Sequence, residues 1–356
     1  MSNYIVDPTL GFGPIPVPPQ PTRNAWVELN RTTLGVASST ISVVVPKKRF
    51  LMVLMRSTGN PFDVNMFLQF NGDTGSNYSS RIEKNGAADL PSANVTAIFV
   101  GGDNDFDPDF SIAYIDNKPF GPKLVQAHDC EQGLPGVGIA TRVPNRIESA
   151  GKWSPSDLSD QITTVTLTTL TAQVWNVGSE VIVLGFDPTD AQDDTFNFWQ
   201  PLAKSVNTSS NMLLNFTAKK YLWLQWYFKL NAGLFRQKLR FNADAGNNYT
   251  FRESSNGAAD TTTLTRDGII IGTNSANLIR HCEMFIVNEQ VRNKLCISHF
   301  EGSLANGPGT GVSREEQVSK WANTLAQINQ IELIDDAGGG PTLVPGESFM
   351  RVWGHD

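Results

Sequence analysis

The stretch Phe70-Asn71-Gly72-Asp73-Thr74-Gly75-Ser76-Asn77-Tyr78 returns later in the chain as Phe241-Asn242-Ala243-Asp244-Ala245-Gly246-Asn247-Asn248-Tyr249. Behind both copies, at the same distance, stands Asn-Gly-Ala-Ala-Asp, at Asn85 to Asp89 and at Asn256 to Asp260. Two such matches at one offset mark a tandem duplication, and the rest of the chain follows it. Lys294-Leu295 falls on Lys123-Leu124, His299 on His128 and Trp321 on Trp153. The C-terminal Met350-Arg351-Val352-Trp353-Gly354 falls on Ile182-Val183-Leu184-Gly185. The domain reading is an arm at 1–22, a first repeat at 23–187, an acidic linker at 188–197 and a second repeat at 198–356.

Each repeat reads as β structure. Phe50 to Met55 is a continuous apolar run, the pattern of a strand covered on both faces. Ile162 to Leu170 alternates apolar residues with Thr, the pattern of a strand with one polar face. Val27 with Leu29, Ile41 to Val45, Val95 to Val100, Phe110 to Ile115, Lys123 to Ala127 and Val181 to Phe186 are further strands, separated by Gly, Asp, Asn and Pro clusters. Arg314 to Gln330 has helical propensity, but its counterpart holds Pro144, Gly151 and Pro155, so at most a short helix is expected, followed by strand. Many short strands with turn signals between them predict an all-β protein of two tandem antiparallel sandwiches, jelly-roll-like, with an extended N-terminal arm. Within that arm, the prolines from Pro14 to Pro21 favour extended backbone. Ile15 and Val17 would supply its apolar contacts to a neighbouring subunit.

Composition narrows the function. In 356 residues the formal net charge is -7, which disfavours non-specific nucleic-acid binding, since that needs excess Lys and Arg. No apolar run approaches membrane-spanning length, and the start of the chain lacks the pattern of a signal peptide. A soluble protein is expected. Three cysteines, Cys130, Cys282 and Cys296, are too few and odd in number for a disulfide framework, which suits assembly in a reducing cytoplasm.

Candidate chemistry is sparse. Asn71, Asp73 and Asn77, with Asn242, Asp244 and Asn248, are candidate oxygen ligands for Ca²⁺. The simpler reading is a tight turn in which these side chains bond the backbone and Gly75 and Gly246 take positive φ. His281-Cys282 and Cys296 to His299 have zinc-ligand residue types, and the first repeat offers only His128 and Cys130. The short-loop cysteine pairs of zinc sites are missing, so buried free cysteines are expected and no cofactor is. The alternating acids Asp103, Asp105, Asp107 and Asp109 read as a solvated loop, and no catalytic motif occurs. In Tyr221 to Phe228, Trp223, Gln225 and Tyr227 share one strand face and Leu222, Leu224, Trp226 and Phe228 the other. That strand either runs through a thick core or turns one face to another domain or subunit, and Trp223, Trp226 and Tyr227 are its interface candidates.

The order of these features resembles a β-sandwich module of tailed-bacteriophage virion proteins, including tail, fibre and capsid-surface components. The resemblance rests on a Trp-initiated unit with Thr32-Thr33-Leu34 and Ser38 to Ser42, a hydrophobic strand, the FNGDTGSNY turn, a Thr-rich strand and a closing Leu184-Gly185. It covers most of the first repeat, and the second departs at its opening and around Gly338 to Pro345. It implies a non-enzymatic structural role in the virion, assembled in the host cytoplasm, with a capsid decoration (cement) protein expected first. Its partners would be the major capsid protein or tail proteins, together with other copies of the chain. The alternative is a tail or fibre-tip protein that binds host-surface glycan. Neither nucleic acid nor membrane is an expected partner.

Overall fold

The computed structural model describes residues 4–5, 15–16, 25–58, 64–102, 108–171, 173–188, 197–206, 211–229, 237–271, 279–303, 312–336, 343 and 347–356. The chain is all-β, in antiparallel sheets that form sandwiches. Tyr4–Ile5 and Ile15–Pro16 make a two-residue antiparallel ladder in which Ile15 faces Ile5. Val17 and most of the arm lie outside the described residues, as do Asp103, Asp105, Asp107 and most of the linker.

Each repeat contributes one sheet of eight strands and one of four. The first large sheet runs in the order Val27–Thr33, Glu180–Phe186, Phe50–Arg56, Asp109–Asp116, Lys123–Glu131, Asn145–Trp153, Tyr78–Lys84, Leu90–Val95. The first small sheet runs Thr40–Val44, Thr164–Thr168, Met66–Phe70, Ile98–Gly101. Counted along the repeat, the small sheet joins strands two, eleven, four and seven, and the large one carries three beside eight and five beside six. That is jelly-roll connectivity, with the hairpin from Lys123 to Trp153 inserted between the eighth and fifth strands. The second repeat reproduces both orders strand for strand between Gln200 and His355.

Two sequence expectations change. Val95 to Val100 is two strands, Leu90–Val95 in the large sheet and Ile98–Gly101 in the small one. Val312–Trp321 is strand throughout, and no helix forms between Arg314 and Gln330. Its full register with Lys294–Ser303 on one side and Tyr249–Ser255 on the other overrides the helical propensity of Glu315, Gln317 and Lys320.

Period-2 alternation then decides which face of each large sheet meets what. Leu51, Val53 and Met55 enter the core of the first sandwich, while Met52 and Leu54 point away from it. Likewise Leu222, Leu224, Trp226 and Phe228 fill the second sandwich, and Tyr221 and Trp223 point away. The away-facing residues of the two repeats pack on each other. Met52, Leu54, Phe110, Ile112, Ile182 and Leu184 meet Trp199, Tyr221, Phe285, Leu295, Ile297 and Trp353 in a third hydrophobic core. The molecule is therefore four layers deep, with sheets of four, eight, eight and four strands. Aromatic stacking reinforces the seam: Trp223 lies parallel to Phe285 at 5.6 Å, and Trp199 sits 5.8 Å from Trp223.

The duplicated signature is the corner at which the chain leaves the small sheet, at Phe70, for the large one, at Tyr78. The residues with positive φ are Asn71 and Gly72, and Asn242 and Ala243, rather than Gly75 and Gly246. Gly75 serves close approach instead, since a Cβ there would stand 3.0 Å from Asn77 Nδ2 and 3.1 Å from Asp73 Oδ1. The Asp73 carboxylate accepts hydrogen bonds from Gly75 N at 2.9 Å, Asn77 Nδ2 at 2.9 Å and the buried indole of Trp153 at 2.8 Å. Asn71 Oδ1 accepts from the amides of Thr163 and Thr164, and its Nδ2 donates to Gln161 O, which locks the next small-sheet strand in place. Tyr78 Oη accepts from Phe70 N and donates to Asp73 O. In the second copy Asp244 holds Gly246, Asn248 and Trp321 in the same way, and Asn242 holds the backbone from Gln327 to Gln330. The other shared motif, Asn-Gly at Asn85-Gly86 and Asn256-Gly257, closes a hairpin in each repeat with both residues at positive φ.

Of the three positions at which the two corners differ, one lies in left-handed backbone: Gly72 at φ 69° has Ala243 at φ 54° as its counterpart. A Cβ in left-handed backbone costs on the order of 1 kcal/mol. Ala243→Gly is therefore expected to raise stability by about 1 kcal/mol, and Gly72→Ala to lower it by about as much. Urea unfolding of the two variants checks both signs.

Candidate functional site at the seam between the repeats

The strands nearest the seam are Lys123–Glu131 and Asn145–Trp153 of the first repeat and their counterparts Lys294–Ser303 and Val312–Trp321. Each of these strands meets its own counterpart across the seam, but the two repeats use different patches there: Leu295 is buried in the seam while its counterpart Leu124 is 54% exposed. Alternation sends Val125 and Ala127, and Cys296 and Phe300, into their own sandwiches. It therefore sends His128 and His299 into the seam. There the two equivalent histidines touch, with His299 Nε2 3.2 Å from His128 Nδ1.

Each histidine brings a carboxylate with it. His128 lies opposite Glu148 in the strand register, and His299 lies opposite Glu316. His128 Nδ1 is bonded directly to the Glu148 carboxylate. Ligand atoms of His128, Glu148 and His299 all lie within 4.8 Å of one another. Burial pulls the His128 pKa down, but the Glu148 charge and hydrogen bond outweigh it and raise it, while His128 in turn holds Glu148 low against its own burial. His299 is pushed down to about 3 by burial and by the charge on His128.

Arg146 fixes the edge of this cluster. Its buried guanidinium bonds Glu83 at 2.9 Å, Asp260 at 2.8 Å and Glu316 at 2.9 Å, and lies 3.4 Å from Glu148. Asp260 closes the second Asn-Gly-Ala-Ala-Asp motif, and the first motif comes up against it. A Cβ on Gly86 would lie 2.3 Å from the Asp260 amide nitrogen. Lys320, also buried, donates across the seam to the carbonyls of Gln132 at 2.9 Å and Leu134 at 2.8 Å. A groove of about 430 Å³ opens beside the histidines, lined also by Trp26, Tyr114, Trp223, Glu283 and Glu301. A second groove of about 390 Å³ lies on the first repeat, between Trp26, Phe50, Tyr114, Phe186, Asp116 and Gln126.

The residues singled out in the sequence are distributed unevenly over this map. Trp223 lies in the seam. Trp226 is a correction: it points into the second sandwich, 0% exposed, because it has the opposite strand parity. Tyr227 shares the parity of Trp223 but stacks on Phe349 of the neighbouring strand at 6.1 Å, beyond the seam core. Asn71, Asp73, Asn77, Asn242, Asp244 and Asn248 all hold the corners described above. Cys130, Cys282 and Cys296 are buried and unpaired as disulfides. His281-Cys282 and Cys296 to His299 do fall on paired strands, but neighbours one or three apart point to opposite faces. Cys282 and Cys296 enter the sandwich core, His299 the seam and His281 an exposed edge beside Glu301. Asp109 begins a strand as a buried residue rather than sitting in a solvated loop. Glu148, Glu316 and Arg146 escaped notice because nothing in the sequence says that two copies of one strand face will meet. The signal that was available is the pairing of His128 with His299 by the duplication.

No protein-family model and no curated protein matches the chain. Among solved structures it is similar to the mouse laminin alpha1 chain, domains LG4-5, at 9% identity and a TM-score of 0.19. The alignment covers 94% of this chain and 93% of that one. A TM-score this low carries no argument about function.

A second ionisable cluster lies within the second repeat. Glu253, buried, accepts from Thr261 Oγ1 and Gln317 Nε2 at 3.2 Å each. Burial first, and then the charge and hydrogen bond of neighbouring Glu315, push its pKa up to about 7. The folded protein thus binds a proton that the unfolded chain, with an ordinary carboxyl, has released above about pH 4.5. Stability should fall as pH rises from about 4.5 to about 7, by on the order of 2–3 kcal/mol, and level off above. Glu253→Gln should flatten that slope, which urea midpoints at pH 5 and pH 8 would measure.

Proposed function

We propose that the protein is a non-enzymatic structural component of a bacteriophage virion, in the first place a capsid decoration (cement) protein. The observation that carries this reading is the corner motif FNGDTGSNY itself. The residues through which the chain resembles phage virion modules are the ones that hold each jelly roll together, and the chain carries two such modules joined face to face. Such a body offers two related outer surfaces at a fixed spacing, a geometry suited to neighbouring, equivalent sites on a lattice. The proline-rich arm before the first sandwich adds a segment with low ordering cost on docking. Among the described residues, no helix is long and apolar enough to cross a membrane. Partners under this reading are the major capsid protein and other copies of the chain.

The alternative, a tail or fibre-tip protein binding host-surface glycan, draws on one specific feature. The groove between Trp26, Phe50, Tyr114 and Phe186, with Asp116 and Gln126 at hand, offers aromatic surfaces for sugar rings and polar groups for hydroxyls.

Purified protein should bind expanded phage heads saturably, and deletion of residues 1–22 should weaken that binding at least about tenfold. A truncated chain that binds heads as tightly as the full one would remove the arm from the account. If the full chain bound no heads but labelled host cells and blocked infection, the decoration reading would fall in favour of the glycan one.

A further inference from the structure

We propose that His128, His299 and Glu148 form a binding site for one divalent transition-metal ion, zinc by ligand type, at the seam between the two repeats. Two imidazoles and a carboxylate converge there, the donor set that zinc and its neighbours favour. The spacing suits one ion: nitrogens each about 2.0–2.1 Å from a tetrahedral zinc stand roughly 3.3 Å apart, and His128 Nδ1 and His299 Nε2 are 3.2 Å apart. The Glu148 carboxylate, now bonded directly to His128 Nδ1, reaches such an ion by a turn about its side-chain torsions, since all three ligand atoms already lie within 4.8 Å of one another.

The surroundings favour a cation. Glu83, Glu148, Glu316 and Asp260 gather around the buried Arg146 guanidinium, with Arg314 3.4 Å from Glu316 and Arg252 beside Asp260, so four carboxylates face three arginines. Arg146 also orients Glu148 at 3.4 Å, as outer-shell partners of metal ligands do. The 430 Å³ groove that the two histidines line gives an ion a way in and leaves its fourth position to water. Because His299 comes from one repeat and His128 with Glu148 from the other, a bound ion ties the two sandwiches together. The site exists only because duplication supplied two equivalent histidines and the packing of the repeats brought them into contact.

The test uses the full chain, freed of metal with a chelator, and Zn²⁺ followed by calorimetry, with Co²⁺ as a spectroscopic probe. One ion should bind per chain and raise the melting temperature. Cobalt should give the visible bands of a nitrogen and oxygen site without the charge-transfer band of a thiolate. His299→Gln and Glu148→Gln, checked for native near-ultraviolet circular dichroism, should each weaken binding by at least about tenfold. His281→Gln, an exposed histidine, should leave it unchanged. Absence of saturable zinc binding, a thiolate band, or binding that survives Glu148→Gln would each overturn the assignment. The wild-type cobalt spectrum decides the matter even if His299→Gln fails to fold.

Discussion

An eight-stranded sheet with apolar side chains on both faces has to be covered twice, and a four-stranded partner can cover only one face. That constraint shapes the whole molecule. The strands Phe50–Arg56 and Tyr221–Lys229 lie near the middle of their sheets and carry large apolar residues at both parities. Each fully buried Leu, Met or Phe contributes roughly 1.5–3 kcal/mol relative to exposure, so a lone repeat with Met52, Leu54, Ile182 and Leu184 in water would forgo several such contributions. The second repeat supplies the missing cover. Its own outward residues, Trp199, Tyr221, Phe285 and Trp353, have the same need.

The polar groups at the seam follow from that packing. Once the two sheets meet, charged side chains at its margins lose water and must be paired. Arg146 is met by four carboxylates, Glu180 by Lys220 and the Tyr221 hydroxyl, and Lys320 by backbone carbonyls. The pairs are not symmetric. Arg314, the counterpart of Arg146, stays largely exposed, and Lys152, the counterpart of Lys320, is exposed as well. The loop from Gln132 to Pro144 of the first repeat caps the second, supplying carbonyls to Lys320 and Arg252.

Much of the fold was readable because its causes are local. The double appearance of FNxDxGxNY exposed the duplication, alternation in Ile162 to Leu170 and the run at Phe50 marked strands, and turn residues separated them. The parity of Tyr221 to Phe228 correctly divided Leu222, Leu224, Trp226 and Phe228 from Trp223; of its interface candidates, Trp223 lies in the seam, Trp226 in the sandwich core and Tyr227 beyond the seam core. What stayed hidden depends on contacts far apart in sequence. The helical propensity of Arg314 to Gln330 yields to two flanking strands that no local rule reveals. The corner's left-handed residues are Asn71 and Gly72 because the Phe70 carbonyl is reached by Asp73 N, a register the spacing of glycines did not betray. The His128 cluster needs both copies of one strand face to meet, and that is a property of the seam alone.

The central claim is that the two repeats form a single cooperative body through their shared core. Scanning calorimetry of the full chain addresses it directly. The account predicts one transition with equal calorimetric and van't Hoff enthalpies, because neither large sheet keeps its cover once the other unfolds. Two separate transitions, one for each repeat, would contradict it.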